Sequence, residues 1–83
     1  MTEQPVTREG EPPRTLMWEA KAAPSRGDDL VAWVLDHAPA GRVYRTADRV
    51  VLVVDPTEGE APPEPPPDLV ARPAHAWRFT RIR

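Results

Sequence analysis

The side chains of this 83-residue chain best equipped for chemistry are two histidines, three tryptophans, one tyrosine and one phenylalanine. Trp33 and His37 are four apart, the spacing that lays one side chain over another on a helix, so an imidazole beside an indole would serve as proton carrier or ligand contact. The plainer reading is a boundary tryptophan packed on a sheet rim, with a solvated histidine near a helix C-terminus where its cation is favoured. His75 alternates with Trp77 and Phe79, which places all three on one face of a strand. His75 and His37 together make only half of a metal site. The chain has no cysteine and its carboxylates are scattered, so neither a metal nor another cofactor is expected. Ser25, the sole serine, reads as a helix cap rather than a nucleophile, and no glycine-rich phosphate loop or GxSxG occurs.

Trp77-Arg78-Phe79, followed by Arg81 and Arg83, has the aromatic and basic interleaving of a sheet that stacks bases. Alternation puts Arg78 on the opposite face from the rings, and the chain as a whole carries a net charge of −2, so nucleic acid is not the expected partner. The structural reading packs the aromatics in a core or interface and lines an edge with arginines, which discourages aggregation. Pro62/Pro65 and Pro63/Pro66 have PxxP spacing, but acidic flanks (Glu58, Glu60, Glu64, Asp68) favour a stiff solvated loop over a docking ligand.

The elements that must position these groups follow from periodicity. Leu16, Trp18, Ala20 and Ala22 alternate with Thr15, Met17, Glu19 and Lys21, a half-buried strand. Pro24 to Gly27 breaks it, and Ser25 with Asp28 approximates a capping box for a helix over about residues 26–38. Leu30, Val31, Val34, Leu35 and Ala38 make one apolar stripe on that helix, ended by Pro39 and Gly41. Residues 41–46 and 50–54 read as a β-hairpin, the acidic 56–68 loop as extended polyproline at Pro62 to Pro67, and Asp68 to Arg72 as one helical turn. His75 to Arg83 supplies the last strand. The order predicts an α+β, ferredoxin-like βαββ(α)β domain over residues 14–83, a four-stranded antiparallel sheet with one main helix and a short or degenerate second helix.

Residues 1–13 hold one aliphatic side chain and three prolines, so a disordered tail is expected there. Residues 55–68 are purely acidic and 69–83 purely basic. The longest apolar run is six residues, far short of a membrane span, and the N-terminus lacks a leader pattern, which predicts a cytoplasmic protein with no membrane contact. Ten arginines against one lysine, with abundant alanine and proline, suit a GC-rich genome of the actinobacterial kind.

Leu16 to Val34, LMWEAKAAPSRGDDLVAWV, resembles the opening of the antibiotic-biosynthesis-monooxygenase-like family of dimeric α+β barrels. The resemblance implies a small ferredoxin-like domain that pairs sheet to sheet; some members oxidise quinol-like or polyketide substrates and others degrade haem. The haem-degrading members rely on an Asn-Trp-His set that a chain without asparagine does not supply, and no catalytic residue is carried over.

Val50 to Val54 is apolar on both faces, whereas one three-turn helix covers a single face of a sheet. The other face therefore needs a second copy, a different protein, an apolar ligand, or the Leu69–Val70 turn. The leading expectation is a small non-catalytic interaction or accessory domain, a homodimer through its sheet. The alternative is a cofactor-independent monooxygenase-like enzyme with a pocket between helix and sheet, its ligand contacts drawn from Trp18, Trp33, His37, Tyr44 and Trp77. A single-stranded nucleic-acid binder is the third.

Overall fold

The computed structural model describes residues 14–83; the expected tail at 1–13 lies outside them. Among the described residues the chain forms β1 (Arg14–Lys21), α1 (Gly27–His37), β2 (Arg42–Arg45), β3 (Arg49–Val54), a 3-10 turn η1 (Pro67–Leu69) and β4 (His75–Thr80). The strands join in one antiparallel sheet of order β2-β3-β1-β4. This is the ferredoxin-like arrangement: β1 and β2 run parallel to each other, as do β3 and β4, and the two crossovers interleave.

Alternation in β1 sets the two faces. Leu16, Trp18 and Ala20 pair with Val54, Leu52 and Val50 and are all buried, while Met17, Glu19 and Lys21 point the other way. Leu30 and Val34 of α1, both 0% exposed, press onto the first set, and Leu69 completes this core. Burial of this kind is worth about 1.5–3 kcal/mol per large aliphatic side chain, which is what holds a helix too short to stand alone.

The start of α1 differs from the expected capping box. Ala23 O accepts from Arg26 N at 3.0 Å and Ser25 sits at φ 65, so Pro24 and Ser25 are the middle pair of a type II-like turn. Arg26 is the N-cap residue, without a side-chain cap, and its guanidinium instead donates to Asp29 Oδ2 at 2.8 Å. The apolar stripe is also narrower than its sequence. Buried Leu30, Val34 and Ala38 centre it, and Leu35, about 100° around the helix from that centre, is 56% exposed. Gly41, at φ 97, lets the chain enter β2 flat against β3; a Cβ there would stand 2.8 Å from Val53 O.

The second crossover, residues 55–74, is where the fold departs from its type. Pro62 and Pro65 are buried while Pro63, Glu64 and Pro66 are exposed, the three-residue period of a polyproline II helix, and Pro66 holds φ −54, ψ 136. The expectation of a fully solvated loop is corrected at those two prolines. An extended helix rising about 3.1 Å per residue crosses a sheet of this length in about seven residues, where an α-helix needs about twice as many. Proline also lacks the N–H that burial would otherwise strand without an acceptor. Glu64 ties the segment down by accepting from Ala74 N at 3.0 Å, and η1 stands where one helical turn was expected.

Candidate functional site

Register places the side chains of the sheet's second face in rows. Tyr44, Val51, Glu19 and His75 form one row across β2, β3, β1 and β4, and Arg42, Val53, Met17 and Trp77 form the next. Thr15 and Phe79 lie beyond, beside Asp55, whose Oδ1 accepts from Thr15 Oγ1 at 3.1 Å. Arg49 and Lys21 pair at the other end. Tyr44 is 56% exposed, Trp77 49% and Phe79 48%, and no helix lies over them.

The 67–73 segment does not cover this face. Leu69 is buried in the core with α1, Val70 bridges to Ala22, and Ala71 N donates to Lys21 O, so the segment runs along the end of β1 and turns toward the helix side. Its one reach toward the open face is Arg72, whose Nη2 lies 3.9 Å from Glu19 Oε2. All six residues of β4 are exposed, so of the two places expected for Trp77 and Phe79, a core or an interface, the core is ruled out.

Two ion-pair clusters border the apolar centre of Val51, Val53 and Met17. At one end Glu19, only 15% exposed, accepts from Arg49 Nε at 3.0 Å and faces Arg72. At the other, Arg42 lies 3.5 Å from Asp55 and 3.6 Å from Glu58. His75 and Trp77 stack at 5.7 Å between ring centroids, 12° between planes, which stiffens the aromatic row of β4.

The five residues singled out from sequence are divided among three places. Trp18 is 3% exposed in the core between sheet and helix. Trp33 and His37 stack on α1 with centroids 4.3 Å apart, and His37 Nδ1–H donates to Trp33 O at 2.9 Å, leaving Nε2 outward. Tyr44 and Trp77 share the open face, in adjacent rows on opposite edge strands. A pocket between helix and sheet lined by all of them is therefore not assembled, because Tyr44 and Trp77 lie on the far side of the sheet. That gap is filled by Leu30, Val34, Val50 and Leu52. His37 borders a shallow groove of about 240 Å³ with Val54, Glu58 and Glu60, but Glu58 is engaged in closing the turn after β3 by accepting from Asp55 N at 2.8 Å.

Met17, Val51 and Val53 are the functional candidates that residue type alone did not single out. Their signal was the two-sided apolar character of residues 50–54 together with the pairing partners of β1. Among the described residues no group of three or more His, Asp or Glu side chains is placed to hold a metal ion, and no helix is long and apolar enough to cross a membrane. Comparison with protein-family models, with curated proteins and with solved structures gives no match for this chain.

Proposed function

We propose that this chain is a non-catalytic interaction domain that self-associates through the open face of its sheet. The observation that carries the reading is the half-exposed aromatic set Tyr44, Trp77 and Phe79, ranged around Val51, Val53 and Met17 on a face without a covering element. Isolated surface aromatics are ordinary; a contiguous patch of them is a binding surface. Four strands about 4.8 Å apart and about six residues long make a face of about 400 Å² in plan, near 600 Å² of accessible surface with side-chain relief. That meets the lower bound of roughly 600 Å² per partner for specific interfaces.

The filled gap between α1 and the sheet supports this reading over the monooxygenase-like alternative, which requires a substrate pocket there. Carboxylate partners on Arg42, Arg49 and Arg72 reduce the cations left for phosphates on this face, which supports it over single-stranded nucleic acid. Light scattering coupled to size-exclusion chromatography at tens of micromolar is expected to give about twice 9.3 kDa, and Trp77→Ser about 9.3 kDa. A monomer at every concentration overturns the proposal, and tight, salt-sensitive binding of single-stranded RNA by the same face replaces it with the nucleic-acid reading.

A further inference from the structure

We propose that the free edge of β4 takes up an extended segment of another protein as a fifth, antiparallel strand, and that the segment it fits alternates acidic with apolar side chains. The surface is the rim of the sheet, separate from the open face proposed for self-association. Hydrogen-bond directions along β1 show which groups β4 leaves unused. Ala22 N donates to Asp48 O, toward β3, and Lys21 O accepts from Ala71 N, toward β4. Successive residues of a strand turn their backbone groups to opposite sides, so Thr15, Met17 and Glu19 bond β4 through their register partners Phe79, Trp77 and His75. Ala76, Arg78 and Thr80 therefore turn N–H and C=O away from the sheet, and no described residue pairs with them. Just ahead of the strand, Ala74 N is already taken by the Glu64 carboxylate, so the free stretch starts at Ala76. Such a row is a template for another strand. With a polyproline segment in place of a second helix, the side chains of Ala76, Arg78 and Thr80 lie on the helix side of the sheet and are exposed all the same. The opposite edge, β2, is a poorer template: it has four residues, and Arg42 and Arg45 are held by Asp55, Glu58 and Asp28.

Charge selects the occupant. Among the described residues Arg26, Arg42, Arg45, Arg49 and Arg72 each have a carboxylate partner, whereas Arg78, Arg81 and Arg83 have none. Arg81 and Arg83 line a cleft of about 420 Å³ with Thr15 and Asp55, and Asp55 is already engaged by Arg42 and by Thr15 Oγ1. The strand and its C-terminal end are thus left cationic. A second copy is a poor fifth strand for this edge. The register that uses all three outward residues sets Arg78 directly opposite its own counterpart, and a shift of one step leaves the two as diagonal neighbours; like charges so placed repel. A phosphodiester strand has acceptors for the outward N–H groups but no donors for the carbonyls, whereas an extended peptide offers both. Its side chains opposite Ala76, Arg78 and Thr80 project on the helix side, beside the Arg78 guanidinium, and suit glutamate or aspartate. Those opposite Trp77 and Phe79 project beside the two rings and suit valine, isoleucine or leucine.

The probe is a fluorescein-labelled nonapeptide of alternating glutamate and valine, titrated with the full chain and followed by anisotropy. Binding is expected, and Arg78→Glu is expected to weaken it about tenfold or more. Ala76→Pro removes an outward donor and leaves the ladder to β1 untouched, since proline is tolerated on an edge; it is expected to abolish binding with the circular dichroism of the parent. Two modified probes ask the same of an unaltered protein. In an antiparallel strand opposite these residues the glutamate N–H groups face β4 and the valine N–H groups face solvent, so N-methylation of the glutamates is expected to abolish binding and N-methylation of the valines to change it by less than about threefold. No binding by the parent, or equal binding of both methylated probes, overturns the fifth strand. Equal affinity for a lysine–valine peptide overturns the selection of acidic partners. An oligouridylate that binds more tightly than the peptide and ignores Ala76→Pro gives these arginines to nucleic acid and overturns the proposal as well. Light scattering of Ala76→Pro is expected to match the parent, so this inference and self-association through the open face fail separately.

Discussion

Val34 and Leu35 are neighbours in the chain and opposites in the fold, one 0% exposed against the sheet and the other 56% exposed. Val34→Asp buries a carboxylate without a partner in a core where the described residues hold no other charge, and it is expected to cost several kcal/mol, enough to unfold a domain of this size. Leu35→Asp is expected to stay within about 0.5 kcal/mol of the parent. Urea melts of the two variants read the difference directly, and equal loss in both would mean that the helix is rotated about its axis. The stripe at Leu30, Val31, Val34, Leu35 and Ala38 was visible in the sequence, but its width was not. Helical spacing ranks these positions by angle only once the centre of burial is known, and that centre depends on where β3 places Leu52. Ser25 shows the same limit: a hydroxyl ahead of an acidic first turn has the composition of a cap, and only the backbone angle reveals a turn position.

At the scale of elements, the strands were legible because alternation is a direct record of which face is wet. β1 and the two-sided β3 follow it residue by residue. The second crossover was legible only as far as its conformation, since five prolines dictate an extended helix, but proline looks alike whether solvated or packed. What singles out Pro62 and Pro65 is topology: β3 and β4 are parallel, so the chain between them must return along the sheet, and one ridge of a threefold helix then faces inward. Pro65→Ala admits a buried N–H and loosens the unfolded chain, for an expected loss of about 1–2 kcal/mol. Pro63→Ala, on an exposed ridge, is expected to cost about 0.5 kcal/mol. Chemical denaturation of the pair tests this, and equal effects would place the whole stretch in solvent.

For the molecule as a whole, the proposed self-association would link stability to concentration. A partner that binds only the folded chain adds RT ln(1 + [L]/Kd), so the melting temperature of the parent is expected to climb across a range from about 1 to 100 μM and that of Trp77→Ser to stay flat. A flat profile for the parent would speak for a single-copy protein with a different occupant on its face. The rows that make the site were the least legible feature. Tyr44 and His75 are 31 positions apart in sequence and become members of one row only through three successive strand registers. No periodicity within a single strand records that adjacency, although the composition of each strand did announce an uncovered face.

β4 contributes two of the three exposed aromatic rings and yet buries none of its own six residues; the ladder to β1 holds it in place. Most strands are bound by a double obligation, to the core and to the surface, and a substitution that retunes one damages the other. β4 is released from the first obligation. Its three outward positions, His75, Trp77 and Phe79, can drift through many side chains while Leu16, Trp18, Leu52 and Val34 keep the domain intact. If this face binds as proposed, descendants of this chain can exchange one partner for another by rewriting a single peripheral strand, so that recognition evolves at a rate the fold does not set.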